Sequence, residues 1–280
     1  MTTAPAPAPA ARTAGRAGVY ARAFWGLVLR DARVLVREFV GFLLRTVMNP
    51  LLFTFVFTYV LPKTGGAFVP GPGDLTFATI LLPGLVAVAI FFQGIAAVAL
   101  PLSIELGGTR EIEDRVMAPL PVTLVGVEKV AWSAVQSIVA AAMVFPMVIL
   151  ISAEPVYVHV ASWPILIAVV LLASFVAGFL GLLLGTIVKP RQIGLIFSLV
   201  VVPITFLGCV YYPWERLESI RWLQIVTLVN PLVYVSEGLR AALTPNVPHM
   251  PTPVIFGALI ALTTIFGCLS VASFRRRVID

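Results

Sequence analysis

Few residues in this sequence are spaced to do chemistry. Glu237 and Arg240 stand three apart, so on a helix a carboxylate and a guanidinium can pair on one face. Glu111, Glu113 and Asp114 form an acidic cluster, the only candidate carboxylates for acid–base work on a lipid. His159 and His249 are far apart, as are Cys209 and Cys268, and neither pair has metal-ligand or redox spacing. Lys63-Thr64-Gly65-Gly66 lacks the order of a phosphate-cradling G-x-x-x-x-G-K-[ST] loop, and no H-E-x-x-H occurs. No metal site and no nucleotide hydrolysis are expected of this chain. Tyr211, Tyr212 and Trp214 add an aromatic group that suits either cargo contact or an interfacial belt.

The elements that must position these residues are set by the composition. Of 280 residues, 60% are hydrophobic and 11% charged, where a soluble domain carries roughly a quarter charged. Charge-free runs from Leu75 to Ile104 and from Val130 to Ala153 exceed the about 20 residues needed to cross a bilayer. Their length and the absence of period-2 alternation predict helices. The expected fold is an all-α integral membrane protein with six spans. They lie near Phe42–Leu61, Thr76–Leu100, Val130–Ile151, Pro164–Val188, Gln192–Tyr212 and Val254–Phe274. The Ala/Pro-rich residues 1–17 read as a disordered tail, and 18–280 as a single membrane domain.

Basic residues set the orientation. Fourteen Lys and Arg flank the spans on one side: Arg12, Arg16, Arg22, Arg30, Arg33, Arg37, Arg110, Arg115, Lys129, Lys189, Arg191 and Arg275 to Arg277. Four flank them on the other: Lys63, Arg216, Arg221 and Arg240. The positive-inside rule then puts both termini in the cytoplasm, and it reads the net charge of +6 as a topology and lipid signal rather than nucleic-acid binding. Arg45 is the one ionisable residue inside a span, and Asn49, Gln93 and Gln136 are the other notable polar ones. A proton- or sodium-driven carrier, which keeps carboxylates at mid-membrane, is not expected, nor is a channel without a polar pore ring.

Three segments outside the spans carry pattern. On residues 18–39, Phe24, Trp25, Val28, Leu35, Val36 and Phe39 gather opposite Arg16, Arg22, Arg30, Arg33 and Arg37, while Leu27 and Val34 break the pattern. That is a basic amphipathic helix lying in the membrane interface, compatible with touching a cytoplasmic partner. Residues 103–121 predict a short cytoplasmic helix: Gly107-Gly108 break the exit from span two, Thr109 caps, and Pro119 stops it. Its charges, Arg110, Glu111, Glu113, Asp114 and Arg115, surround the apolar Ile112, Val116 and Met117, which fits a docking surface or a solvated connector. Residues 215–243 predict two short external helices, Leu217–Val229 and Pro231–Leu243, dipping into the membrane. Gly178, Gly181 and Gly185 in span four predict close helix packing.

These features together resemble the type-2 ABC exporter permeases of bacterial drug-resistance and nodulation-factor export. The likeness rests on the basic amphipathic segment and on Leu82-Pro83-Gly84-Leu85 in span two. It rests also on the connector ending Ala118-Pro119-Leu120-Pro121, and most specifically on Asn230-Pro231 with Glu237 and Arg240 in an N-P…E-x-x-R arrangement. Gly107-Gly108 depart from the continuous charged run of many relatives. The resemblance implies a bacterial plasma-membrane permease that pairs with a second copy or a sister permease, above cytoplasmic ABC ATPases that hold ATP and Mg. It implies that Arg110 to Met117 couple to the ATPase, that the helix bearing Phe24, Val28, Arg30, Arg33, Leu35 and Arg37 braces that contact, and that Asn230, Pro231, Glu237 and Arg240 form an external lid. The cargo expected is hydrophobic or amphipathic: a drug, a lipid or a lipid-linked glycan. The alternatives are a cell-surface polysaccharide exporter of the same family and, from another class, a membrane-embedded lipid-modifying enzyme using Glu111, Glu113 and Asp114.

Overall fold

The structure, a computed structural model, describes residues 16–64, 76–109, 121–153 and 155–279. The coupling segment from Arg110 to Met117 and residues 1–15 of the tail lie outside the described residues. Within them every regular element is helical. In chain order these are α1 (Arg16–Arg37), α2 (Phe39–Thr54, running on through a π turn, Phe55–Val60), α3 (Phe77–Ile104), α4 (Val122–Ile151) and α5 (Trp163–Ile187). They continue with α6 (Ile193–Phe206), α7 (Arg221–Thr227), α8 (Pro231–Leu243) and α9 (Thr252–Ile279). Among the described residues, five helices are long and apolar enough to cross a membrane: α2, α3, α4, α5 and α9.

Helix α3 is the axis of the bundle, with 72% of its most apolar stretch buried against 17% for α9. Its mixture of Leu, Ile and Ala has no polar stripe, as expected of a helix enclosed on all sides. Gly181 and Gly185 of α5 lie against the α3 backbone, where an added Cβ would sit 2.7 Å from the Ile95 carbonyl and 3.1 Å from the Ala99 carbonyl. Gly178 instead faces Ser133 and Val130 on α4, so the glycine row serves two partners rather than one.

The fifth expected span differs from its sequence reading. Gln192–Tyr212 is α-helical only over Ile193–Phe206. Fourteen residues rise about 21 Å, short of the roughly 30 Å hydrocarbon core. Pro203 lies inside the last turn, and Cys209 adopts a left-handed φ of 50°. The chain therefore leaves the helix at Leu207 and continues as irregular backbone to Pro213. A capping layer at one end of the bundle follows: a 3₁₀ turn (Trp214–Ile220), α7 and α8. The second predicted external helix matches α8 end to end, whereas the first is split between the 3₁₀ turn and α7.

Helix α1 carries apolar residues on more than one face. Phe24, Val28 and Leu35 are half-buried, whereas Trp25 and Val36 are exposed at 62% and 75%. Tyr20, Ala23 and Leu27 pack beside Phe274 of α9 and Val125 of α4. Leu27 breaks the simple amphipathic pattern because it belongs to a second apolar face, the one that meets the bundle. Arg22, Arg30, Arg33 and Arg37 remain exposed.

Candidate functional site

The capping layer is held by α8, and its sequence shows why. Where α6 ends, the carbonyls of Ile204, Gly208 and Cys209 have no onward helical partner. Unpaired carbonyls at membrane depth are costly and must be met by protein. Three side chains of the α8 segment meet them. Asn230 Nδ2 donates to Ile204 at 2.7 Å, Ser236 Oγ to Gly208 at 2.8 Å, and Arg240 Nη2 to Cys209 at 3.1 Å. Asn230 Oδ1 also accepts from the Leu232 N–H at 2.9 Å, making it the N-cap of α8, with Pro231 in the first helical turn where no N–H is needed.

Glu237 closes the arrangement. Its Oε1 accepts from Arg240 Nη1 and from the Trp214 N–H at 2.9 Å; its Oε2 accepts from the Met250 N–H at 2.9 Å. Glu237 and Arg240 are both fully buried. A bare buried pair is weak evidence for stability, but this one also satisfies three backbone groups on three segments. Gly84, in the Leu-Pro-Gly-Leu string of α3, completes the seat: a Cβ there would overlap the Val210 backbone. Two sequence motifs some 150 residues apart thus serve one purpose, holding the irregular backbone 207–213 against α3.

Below this cap lies a pocket of about 130 Å³ between α2, α3 and α6. Phe53, Phe92 and Phe206 are among its apolar walls, and Thr46, Gln93 and Thr205 supply its polar atoms. Thr46 Oγ1 donates to Gln93 Oε1 at 3.0 Å, and Gln93 Nε2 donates to Gln136 Oε1 at 2.9 Å. This chain of hydrogen bonds ties α2, α3 and α4 together. None of the lining residues is ionisable. Tyr211 adjoins the pocket, its ring 6.4 Å from Phe53 and 6.2 Å from Phe206 between centroids. Tyr212 is half-buried nearby. Trp214 is committed to the cap, donating from Nε1 to the Gln224 carbonyl at 3.1 Å.

The end of α3 and the start of α4 hold a feature that sequence alone did not isolate. Lys129 Nζ lies 2.8 Å from Glu105 Oε2 and 3.1 Å from Oε1. Both residues are buried, as is Glu128, because α4 starts at Val122 rather than Val130. The glycines expected to break the exit of span two do not do so. The chain continues helically from Glu105 to Thr109 as a π turn. The signal that could have located the pair was an acid just after one apolar run and a base just before the next.

Among the described residues, no group of three or more His, Cys, Asp or Glu side chains could hold a metal ion. His159 is exposed, and His249 Nδ1 is 2.9 Å from the Met250 carbonyl oxygen.

Residues 22–244 match the family model described as ABC-2 type transporter, a stretch that takes in the pocket, α8 and the Glu105–Lys129 pair. The chain belongs to that family. Among its relatives is an inner membrane transport permease, YadH, of Escherichia coli strain K12, 24% identical over 234 residues. The aligned stretch covers 82% of this chain and 88% of that protein. YadH of Escherichia coli O157:H7 and of Shigella flexneri match to the same extent. This ABC-2 chain is therefore the membrane component of a transporter, in agreement with the resemblance drawn from its motifs. The E-x-x-R element that carried the resemblance is the part of this ABC-2 chain that fixes its cap.

Proposed function

We propose that this chain is the permease subunit of an ATP-driven exporter for hydrophobic or amphipathic cargo, set in the bacterial plasma membrane with both termini in the cytoplasm. The observation that carries the reading is the uncharged aromatic pocket bounded by α2, α3 and α6. A cargo entering it gains apolar and aromatic contact and meets only neutral polar groups, Thr46, Gln93 and Thr205. A drug, a lipid or the lipid part of a lipid-linked glycan fits that chemistry. A free polysaccharide suits it less well, since only Thr46, Gln93 and Thr205 offer hydrogen bonds to a hydroxyl-rich chain.

Energy enters from a separate cytoplasmic ABC ATPase, which holds the ATP and Mg and docks on Arg110 to Met117. Family membership and the lack of any phosphate-cradling loop in this sequence support that division of labour. A second copy or a sister permease completes the path, and α8 with its neighbours forms the external lid. The inner-membrane naming of the relatives supports the location. The test is reconstitution. The purified chain should hydrolyse no ATP, an added ABC ATPase should bind it, and a neutral aromatic dye should be expelled only when both are present. Robust hydrolysis by the chain alone, free of contaminating ATPase, would sink the reading.

A further inference from the structure

The π turn at the cytoplasmic end of α3 sends three successive residues to three different elements. Glu105 pairs with Lys129 on α4. Leu106 joins the apolar cluster in which Tyr20 and Leu27 of α1 pack beside Phe274. Gly107 lies so close to Pro190, which opens the turn leading into α6, that a Cβ at Gly107 would occupy the space of the proline ring. A π turn closes its hydrogen bonds over five residues rather than four and so advances fewer degrees per residue than an α-helix, and such turns are frequent at functional positions. Rigid elements joined by a buried ion pair and a tight backbone contact move together, because close-packed surfaces do not deform smoothly.

We infer that the turn Glu105–Thr109 is the node that passes motion from the cytoplasmic connector into the bundle, and that the Gly107–Pro190 contact is its route to α6. The inference rests on the ATP-driven reading above and adds to it a named path. The Glu105–Lys129 pair is a separate arm, leading to α4. Since α6 forms one wall of the pocket, the Gly107–Pro190 route is the one that would change the pocket's shape. Both residues act by positioning other elements; neither touches cargo.

The test uses the full chain with its ATPase in membranes. Cys268 is replaced by alanine, and a reporter cysteine is placed at Leu199 on α6 or at Val135 on α4, both exposed positions. A nitroxide is attached to each reporter in detergent before reconstitution, and trapping the ATPase with ATP and vanadate should change its spectrum at both positions. Gly107→Val, which pushes the ring away, should abolish the change at Leu199 and spare it at Val135. Pro190→Gly, which opens a gap, should do the same. The double variant, in which the valine fills the space left by the ring, should restore the response at Leu199. A merely structural contact would not separate the two reporters. Should Gly107→Val fail to accumulate, Pro190→Gly alone decides the matter. Retention of the full Leu199 response in Pro190→Gly, or loss at both reporters in either single variant, would overturn the route. Were neither reporter to respond in the parent chain, the ATP-driven reading would fall, and the node with it.

Discussion

Asn230 donates through Nδ2 to the carbonyl of Ile204 at 2.7 Å, across the point where α6 stops. The same amide caps α8 through Oδ1, so one side chain ends one helix and begins another. Removing the cap alone should cost about 1 kcal/mol, and stranding the buried carbonyl about 1–3 kcal/mol more. Asn230→Ser keeps an N-cap oxygen but gives up the reach to Ile204; Asn230→Ala loses both. Thermal unfolding in detergent should rank the parent above the serine variant and the serine variant above alanine. Equal midpoints for serine and alanine would mean that the cap contributes nothing and that the Ile204 contact is the whole effect.

How much of this was legible in the sequence follows from what hydropathy reports. Length and apolar composition locate α2, α3, α4, α5 and α9 because crossing a membrane depends on little else. Asn230-Pro231 locates α8 because an amide cap followed by proline is a local start signal. The break in α6 is hard to see by the same measure: Leu207 to Tyr212 carry no charged residue, so they read on as span, and the break depends on donors some 25 residues later. The face of α1 was ambiguous for a related reason. Two apolar faces exist on that helix, and only the position of Phe274 decides which one meets protein. The Glu105–Lys129 pair read as loop charge, since nothing local says that α4 begins a full two turns before its charge-free run.

Orientation is tested by labelling. With Cys268 replaced, single cysteines at Arg22 and Arg276, both exposed, should be shielded from a membrane-impermeant maleimide in intact cells and react after permeabilisation. A cysteine at Pro248, exposed at the other end of the bundle, should react without permeabilisation. Labelling of either terminal position from outside would reverse the orientation drawn from the fourteen-to-four distribution of basic residues.

The Thr46–Gln93–Gln136 chain makes the pocket's polar pole testable apart from its size. Thr46→Val preserves shape and deletes the hydroxyl that donates to Gln93 at 3.0 Å. Gln93→Leu deletes both links at once and leaves Gln136 without the donor it has from Gln93. Interhelical hydrogen bonds in membranes average below about 1 kcal/mol, so neither change should prevent insertion. If the pole selects cargo, expulsion of a dye carrying one hydrogen-bonding group should fall more than that of its hydrocarbon analogue. Parallel loss for both compounds would mean that the chain of amides only holds α2, α3 and α4 together.

The sharpest prediction concerns Glu237 and Arg240, because it separates an ion pair from a fastening. Both groups are fully buried, so removing either partner leaves the other uncompensated, at a cost of about 3–5 kcal/mol. Glu237→Ala and Arg240→Ala should each lower the unfolding midpoint sharply, whereas Arg216→Ala, at an exposed position, should leave it within error. If charge compensation were the whole effect, the Glu237→Ala/Arg240→Ala double variant would recover most of the loss. The geometry says otherwise. In the double variant the Trp214 and Met250 N–H groups lose their acceptor, and the Cys209 carbonyl loses its donor, all at once. The double variant should therefore stay at least as destabilised as Glu237→Ala, and protease cleavage should rise between Phe206 and Trp214. Glu237→Gln supplies the control: its amide oxygen can accept from one of the two N–H groups, so it should fall between the parent and alanine. Recovery in the double variant would reduce the arrangement to a buried charge pair and leave backbone 207–213 held by Asn230 and Ser236 alone.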